Sequence, residues 1–141
     1  MIQFSSVSVY GSSKYVDEKT EPKPETIYGV CKYLSEKIIE NELDHYTILR
    51  VSNLYGKGQE KGIFSYILSR FLLGKKTLNF DNDGSLLRYY LDVEDLTNIV
   101  YSIVIQPRIN GIFNLVGPRK YTIKELISKF EYLLDLNFDV I

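Results

Sequence analysis

Four tyrosines in this chain have a lysine four positions later: Tyr10 and Lys14, Tyr15 and Lys19, Tyr28 and Lys32, and Tyr33 and Lys37. On a helix that spacing places both side chains on one face, one turn apart. The chemistry such a pair can do is proton transfer. A phenol keeps its proton at neutral pH, but a nearby ammonium stabilises the phenolate, so a substrate hydroxyl can lose a proton to it and a carbonyl oxygen can regain one. Among twelve tyrosines and twelve lysines, chance alone supplies about one such pair, so spacing does not choose among the four. Context does. Tyr28 opens a helix directly after a proline-rich loop, whereas Tyr33 and Lys37 lie deeper in the same helix with no loop to aim them and read as surface residues. Stripped of context, Tyr28 and Lys32 would read as surface residues too.

The elements that must position these groups follow from pattern. Met1 to Val9 opens with an apolar segment and continues with small hydroxylated residues, as in a strand that ends at the surface. Residues 17–26 hold two of the four prolines and no apolar side chain, which makes an exposed loop. From Ile27 the period changes, and Val30, Leu34 and Ile38 predict an amphipathic helix to about Glu42. Tyr46–Val51 reads as a buried strand ending at Ser52-Asn53. After Gly56, Gly58 and Gly62, the apolar residues from Ile63 to Leu72 recur at helical spacing and stop at Gly74. Thr77–Phe80 and Leu86–Leu91 predict two short strands about the turn Asp81-Asn82-Asp83-Gly84, an expected hairpin. Asp92 can cap a helix that ends before Pro107. Gly111–Val116 reads as a strand, and Thr122 with Glu125 forms a capping box for the last helix. The fold class expected is α/β, with a small mixed α+β lobe from about residue 60 onward.

Composition narrows the function. The chain has 141 residues, 45% hydrophobic and 25% charged, with a net charge of −1. That describes one modest domain with no basic footprint for nucleic acid and no run of charge for an anionic membrane. No apolar run is long enough to cross a bilayer, and the first residues lack the form of a signal peptide. One cysteine, Cys31, and one histidine, His45, make neither a disulfide nor a metal cluster. A cytoplasmic protein is expected. Cys31 reads as a small buried hydrophobe and His45 as a partner for a helix C-terminus.

Three stretches carry a resemblance: Phe4-Ser5-Ser6-Val7-Ser8-Val9-Tyr10-Gly11, then Pro24 with Tyr28-Gly29-Val30-Cys31-Lys32, then Leu49-Arg50-Val51-Ser52-Asn53-Leu54-Tyr55-Gly56. In that order they resemble the extended short-chain dehydrogenase/reductase family, best known for NAD-dependent nucleotide-sugar epimerases and dehydratases. Asp83-Gly84 with Arg88-Tyr89-Tyr90, Asp92-Val93-Glu94-Asp95-Leu96 and Gly111-Ile112-Phe113-Asn114-Leu115 are similar to its substrate-lobe signatures. The resemblance implies a Rossmann-like doubly wound sheet with a small mixed α+β substrate-binding lobe, NAD as cofactor and a nucleotide-sugar substrate. It implies that Ser6 hydrogen-bonds the reacting sugar oxygen, that Tyr28 is the acid-base, and that Lys32 holds the nicotinamide ribose. It further implies that Asn53 contacts the sugar nucleotide and that Arg88 pairs with its diphosphate. Residue type alone equally suits a cap at Ser6, a turn at Asn53 and a solvated charge at Arg88. Val7-Ser8 departs from the acidic pair of the dehydratase branch, which disfavours dehydration and leaves reductase and decarboxylase chemistry open beside epimerisation.

The glycine-rich turn that seats a dinucleotide pyrophosphate has no counterpart here, since Gly56-Lys57-Gly58 follows a late strand and lacks the third glycine. The resemblance therefore implies the C-terminal portion of the family fold. Residues 1–60 would be the remnant of the NAD-binding domain and 61–141 mainly the substrate-binding lobe, with strand 111–116 returning to the sheet. Two functions stay open: part of an epimerase, or a truncated or split-gene product inactive alone that serves as a binding or assembly module. The first strand would lack a neighbour, so a homo-oligomer or a partner chain carrying the missing half is expected.

Overall fold

A computed structural model describes residues 1–13, 15–80, 84–106 and 109–141. Lys14, the turn residues Asp81, Asn82 and Asp83, and the helix stop expected at Pro107 lie outside the described residues. The strand β1, Ile2–Ser6, runs into a 3-10 turn over Val7–Tyr10 and then the long loop. The helix α1, Ile27–Glu42, starts where the Thr26 hydroxyl accepts the Gly29 N–H at 3.0 Å, a side-chain cap on an otherwise unpaired donor. β2, Thr47–Val51, follows and is buried along its whole length. Such a run, rich in β-branched and apolar residues, suits a strand covered on both sides, with Arg50 its one charged member.

β2 is the centre of a parallel sheet of order β1-β2-β6, where β6 is Gly111–Leu115. Its register places Ile2 and Gly111 on either side of Thr47, and Ser6 and Leu115 on either side of Val51. A second sheet, β3-β5-β7, joins Asn53–Tyr55, Leu87–Asp92 and Lys120–Thr122. The helix α2, Ile63–Leu72, ends at Gly74, whose φ of 66° turns the chain so that the Lys75 N–H reaches the Arg70 carbonyl at 2.9 Å. α3, Val93–Ile105, is capped by the Asp92 carboxylate on the Glu94 N–H at 2.8 Å. α4, Ile123–Leu134, carries the expected Thr122/Glu125 capping box.

Two cores hold these layers. In one, Leu96 and Ile103 of α3 pack on Leu49 and Val51 of β2. In the other, Ile67 of α2 and Ile123 and Ile127 of α4 enclose Leu78 and Phe138.

Three expectations need correcting. The segment after α2 does not pair with the segment before α3 as a hairpin. β4, Thr77–Leu78, pairs in parallel with the C-terminal β8, Asp139–Val140, while β5 sits between β3 and β7. Non-local pairing wins because it seals Leu78 and Leu91, 0% and 3% exposed, in different cores. Cys31 is exposed, not buried. So are Val30, Leu34 and Ile38, because the inward face of α1 carries Gly29, Glu36 and Ile39.

Candidate active site

The C-terminal ends of parallel strands are where α/β folds open a crevice, since the chain leaves the sheet there in different directions. A cleft of about 1850 Å³ lies at those ends, and Ser6, Tyr28, Lys32, Asn53 and Arg88 all line it. They come from four elements: β1, α1, β3 and β5.

Ser6 is the last residue of β1 and caps the 3-10 turn, its Oγ accepting the Ser8 N–H at 3.1 Å. With one lone pair held by that bond, the hydroxyl retains its proton to donate. Capping and a role in the cleft are compatible. Tyr28 stands in the first turn of α1, 58% exposed along the cleft. Lys32, one turn on, places Nζ 5.7 Å from the centre of the Tyr28 ring and donates to the Phe4 carbonyl at 2.8 Å. That bond fixes the ammonium between helix and strand and leaves two of its three N–H groups for other acceptors. Lys37 instead lies over Tyr33 and pairs with Glu40 at 2.6 Å on the surface.

Asn53 opens β3 after a one-residue break at Ser52. Its Nδ2 donates to the Tyr89 carbonyl at 3.2 Å, and its Oδ1 accepts Arg88 Nη1 at 3.4 Å. The amide thus steadies the guanidinium along the cleft wall. Burial pushes the Tyr90 phenol up from its ordinary value, and burial with the Asp92 carboxylate does the same to Tyr55. Both phenols therefore hold their protons more firmly than a free tyrosine.

Sequence reasoning missed what holds Tyr28 and Lys32 in place. Glu36 continues their face of α1 by one more turn and is fully buried. It accepts from the Ser5 hydroxyl and from Arg50 Nε and Nη2, the latter at 2.7 Å. Arg50 also donates to the Tyr10 hydroxyl at 2.7 Å, and Tyr10 donates to Asn114 Oδ1 of β6 at 2.9 Å. Burial works against the Arg50 charge, but the bonds to Glu36 and Tyr10 more than offset it and hold the guanidinium above its usual value. The signal was present: an arginine inside a strand otherwise reading Thr-Ile-Leu-Val must have a buried partner. Gly29 was the other sign. A Cβ there would sit 2.8 Å from the Ser8 carbonyl, so α1 approaches the turn after Ser6 more closely than any side chain allows.

The fold is a Rossmann-like α/β architecture with a cleft at the strand ends, and comparison with known proteins agrees on the fold. Residues 1–124 match the NAD dependent epimerase/dehydratase family, and the chain belongs to that family. It is 31% identical over 134 residues to an inferred UDP-glucose 4-epimerase of Methanocaldococcus jannaschii, covering 88% of this chain and 43% of that protein. The solved UDP-glucuronic acid 4-epimerase of Bacillus cereus, in complex with UDP-4-deoxy-4-fluoro-glucuronic acid and NAD, superposes with a TM-score of 0.85 at 25% identity, over 99% of this chain and 48% of that one. The dTDP-glucose 4,6-dehydratase of Bacillus anthracis, in complex with NAD, shares the fold with a TM-score of 0.87 at 22% identity, over 99% of this chain and 48% of that one. The chain thus spans about half the length of these proteins. Among the described residues no helix is long and apolar enough to cross a membrane.

Proposed function

We propose that the cleft is the catalytic and sugar-binding portion of an NAD-dependent nucleotide-sugar epimerase, with Tyr28 as the proton-transfer residue. The observation that carries this reading is the meeting of Ser6, Tyr28, Lys32, Asn53 and Arg88 on one cleft from four separate elements. Residues 1–60 are assigned to the NAD-binding part and 61–141 mainly to the substrate-binding part, with β6 beside β2. The lone Cys31 suits a cytoplasmic setting.

Tyr28 takes the proton of a sugar hydroxyl, and Ser6 donates its O–H to the same oxygen, opposing the charge that develops there. Arg88 offers parallel N–H donors to a diphosphate, geometry that suits guanidinium better than ammonium. The two free N–H groups of Lys32 fit the hydroxyls of a nicotinamide ribose beside Tyr28. No glycine-rich turn is present for the pyrophosphate, so these residues fit one end of NAD only. NAD, when bound, supplies the hydride acceptor and donor. Tyr28 returns its proton when the sugar is reduced on its other face. Reductase and decarboxylase chemistry would use the same proton-transfer centre.

The sheet is open at β1, which has β2 as its only neighbour among the described strands. Phe4 on that edge and Val30, Leu34 and Ile38 along α1 are exposed apolar groups. A second copy or a partner chain would cover them, and light scattering on the purified protein tests this. A well-behaved monomer with cooperative unfolding rejects the association. In a preparation that turns over a UDP-sugar with NAD, Tyr28→Phe abolishes turnover while nucleotide-sugar binding survives. Retained turnover removes Tyr28 from its role.

A second reading is a module that retains sugar-nucleotide binding without turnover, since these 141 residues hold no glycine-rich pyrophosphate turn of their own. Calorimetric titration separates the two. Binding of a UDP-sugar without NAD supports the module, and tight NAD binding by this chain alone rejects it.

A further inference from the structure

A second cavity lies beside the small sheet β3-β5-β7. Adjacent residues of a strand face opposite sides, and β7 divides its side chains in that way, Lys120 lining the cleft and Tyr121 the second cavity. The volume is about 400 Å³, the size of a small-ligand site. Tyr55, Phe64 and Tyr90 reach it from β3, α2 and β5, and Leu126, Phe130 and Leu133 from α4, at the i, i+4 and i+7 spacing of one helix face.

Its rings are ordered and its charges are of one sign. Phe64 stacks on Tyr55 with ring centres 4.5 Å apart, and Tyr90 and Phe130 meet Phe64 edge-on at 5.4 and 5.6 Å. Rings favour these offset and edge-on arrangements, so such a wall accepts a further ring. The two charged residues on the lining are Arg119 and Lys129, and no carboxylate among the described residues lines it. Lys129 holds its ammonium 5.1 Å from the centre of the Tyr121 ring. Neither cation makes an ion pair with a described residue. Glu125, one turn before Lys129, commits its carboxylate to the Thr122 N–H and hydroxyl instead, and Asp92, beside the Tyr55 hydroxyl, caps α3.

Protein interiors pack closely, so an open space walled by rings and bordered by unpaired cations has room and charge for a ligand. A ring meets the apolar wall, and an anionic substituent meets the guanidinium and ammonium donors, which bind carboxylate and phosphate alike. We propose that this cavity is a second ligand site, separate from the cleft, that binds a small aromatic anion: one ring carrying a carboxylate or a phosphate. The site does not depend on the nucleotide-sugar reading, because Arg119, Tyr121 and Lys129 take no part in the cleft lining.

The test is calorimetric titration of the full chain with phenyl phosphate and with phenylacetate, which distinguishes the two anions. Inorganic phosphate, acetate and phenol serve as their separate halves. At least one aromatic anion is expected to bind about tenfold more tightly than either of its halves, since only the whole molecule meets both wall and cations. Arg119→Ala and Lys129→Ala, both at exposed positions, should each weaken that binding about 3- to 10-fold with the unfolding temperature unchanged. Arg88→Ala should leave it unchanged. An aromatic anion that binds no more tightly than its halves overturns the inference, as does affinity that survives the loss of both cations. Affinity that falls with Arg88→Ala puts the anion in the cleft and overturns it too. So does a dimer in light scattering that takes up no probe and that Arg119→Glu with Lys129→Glu dissolves, because a second copy then covers the cavity.

Discussion

Arg50 on the central strand and Glu36 on α1 meet with Nη2 and Oε2 2.7 Å apart, their side chains only 3% and 0% exposed. The pair ties α1 to β2, and through Ser5 and Tyr10 it reaches β1 and the turn that follows Ser6. Tyr28 and Lys32 ride on the same face of α1, so their placement depends on this buried contact.

Removing one partner leaves the other charged and unpaired in the interior. Glu36→Ala or Arg50→Ala should each destabilise by about 3–5 kcal/mol, read from urea unfolding midpoints at constant m. Arg50→Lys keeps the charge but loses the fork that serves Glu36 and Tyr10 together, so it should recover only part of the loss. The paired change Glu36→Leu with Arg50→Met should cost less than either single alanine variant, because no charge is stranded. Equal or greater loss in the pair would show that shape, not charge, sets the contact.

Gly29 tests the same joint sterically. Its Cβ position lies 2.8 Å from the Ser8 carbonyl and 3.1 Å from Cβ of Pro24, both attached to rigid backbone. Gly29→Ala improves helix propensity by about 1 kcal/mol, yet the overpacking at the joint costs about 1–3 kcal/mol. The net effect expected is a lower unfolding temperature and weaker UDP-sugar binding, as α1 moves off the turn. A stabilised variant with full affinity would show that the close approach has no role.

Much of this was legible in the sequence because it is local. Thr122 and Glu125, Asp92 before Val93, and Gly74 after Leu72 mark helix ends by chemistry within four residues of the end. The family motifs drew Ser6, Tyr28, Lys32, Asn53 and Arg88 together because their order along the chain is specific. What stayed hidden is non-local. The pairing of Thr77–Leu78 with Asp139–Val140 spans the second half of the chain, and two-residue strands carry no period to detect. The stripe of Val30, Leu34 and Ile38 marked a helix but not which face the rest of the chain would cover. That face carries Glu36, whose burial depends on an arginine 14 residues away.

Arg88 should govern the anionic part of the ligand. It is exposed, lines the cleft, and is steadied by Asn53 at 3.4 Å. Arg88→Ala should weaken UDP-glucose binding about tenfold and reduce its dependence on salt, since a charge-assisted contact is lost. Arg88→Lys should restore little, because an ammonium cannot present two parallel donors. Asn53→Ala should lower affinity by a smaller factor with the salt dependence retained. Titration at two ionic strengths distinguishes these outcomes, and an Arg88→Ala variant with unchanged affinity would place the diphosphate elsewhere.

Acid should loosen the last helix first at its N-terminus. The Thr122 backbone N–H and hydroxyl hold the Glu125 carboxyl below its ordinary value. A carboxylate whose folded value lies below its unfolded one contributes stability above the unfolded value, 4.5 for a free glutamate, and loses it as pH falls through the folded value. Glu125→Gln lacks the ionisation, so wild type should exceed it in unfolding temperature at pH 7, and the difference should shrink as pH drops below that of a free glutamate. Asp17 and Glu25 are lowered as well, by Thr20 and Ser12, so the comparison must be the difference between the two proteins rather than the slope of either. Thr122→Ala should remove about 0.5–2 kcal/mol at neutral pH by deleting the other half of the box. A wild-type advantage over Glu125→Gln that persists undiminished through acid pH would show that the ionised carboxylate is not what holds the cap.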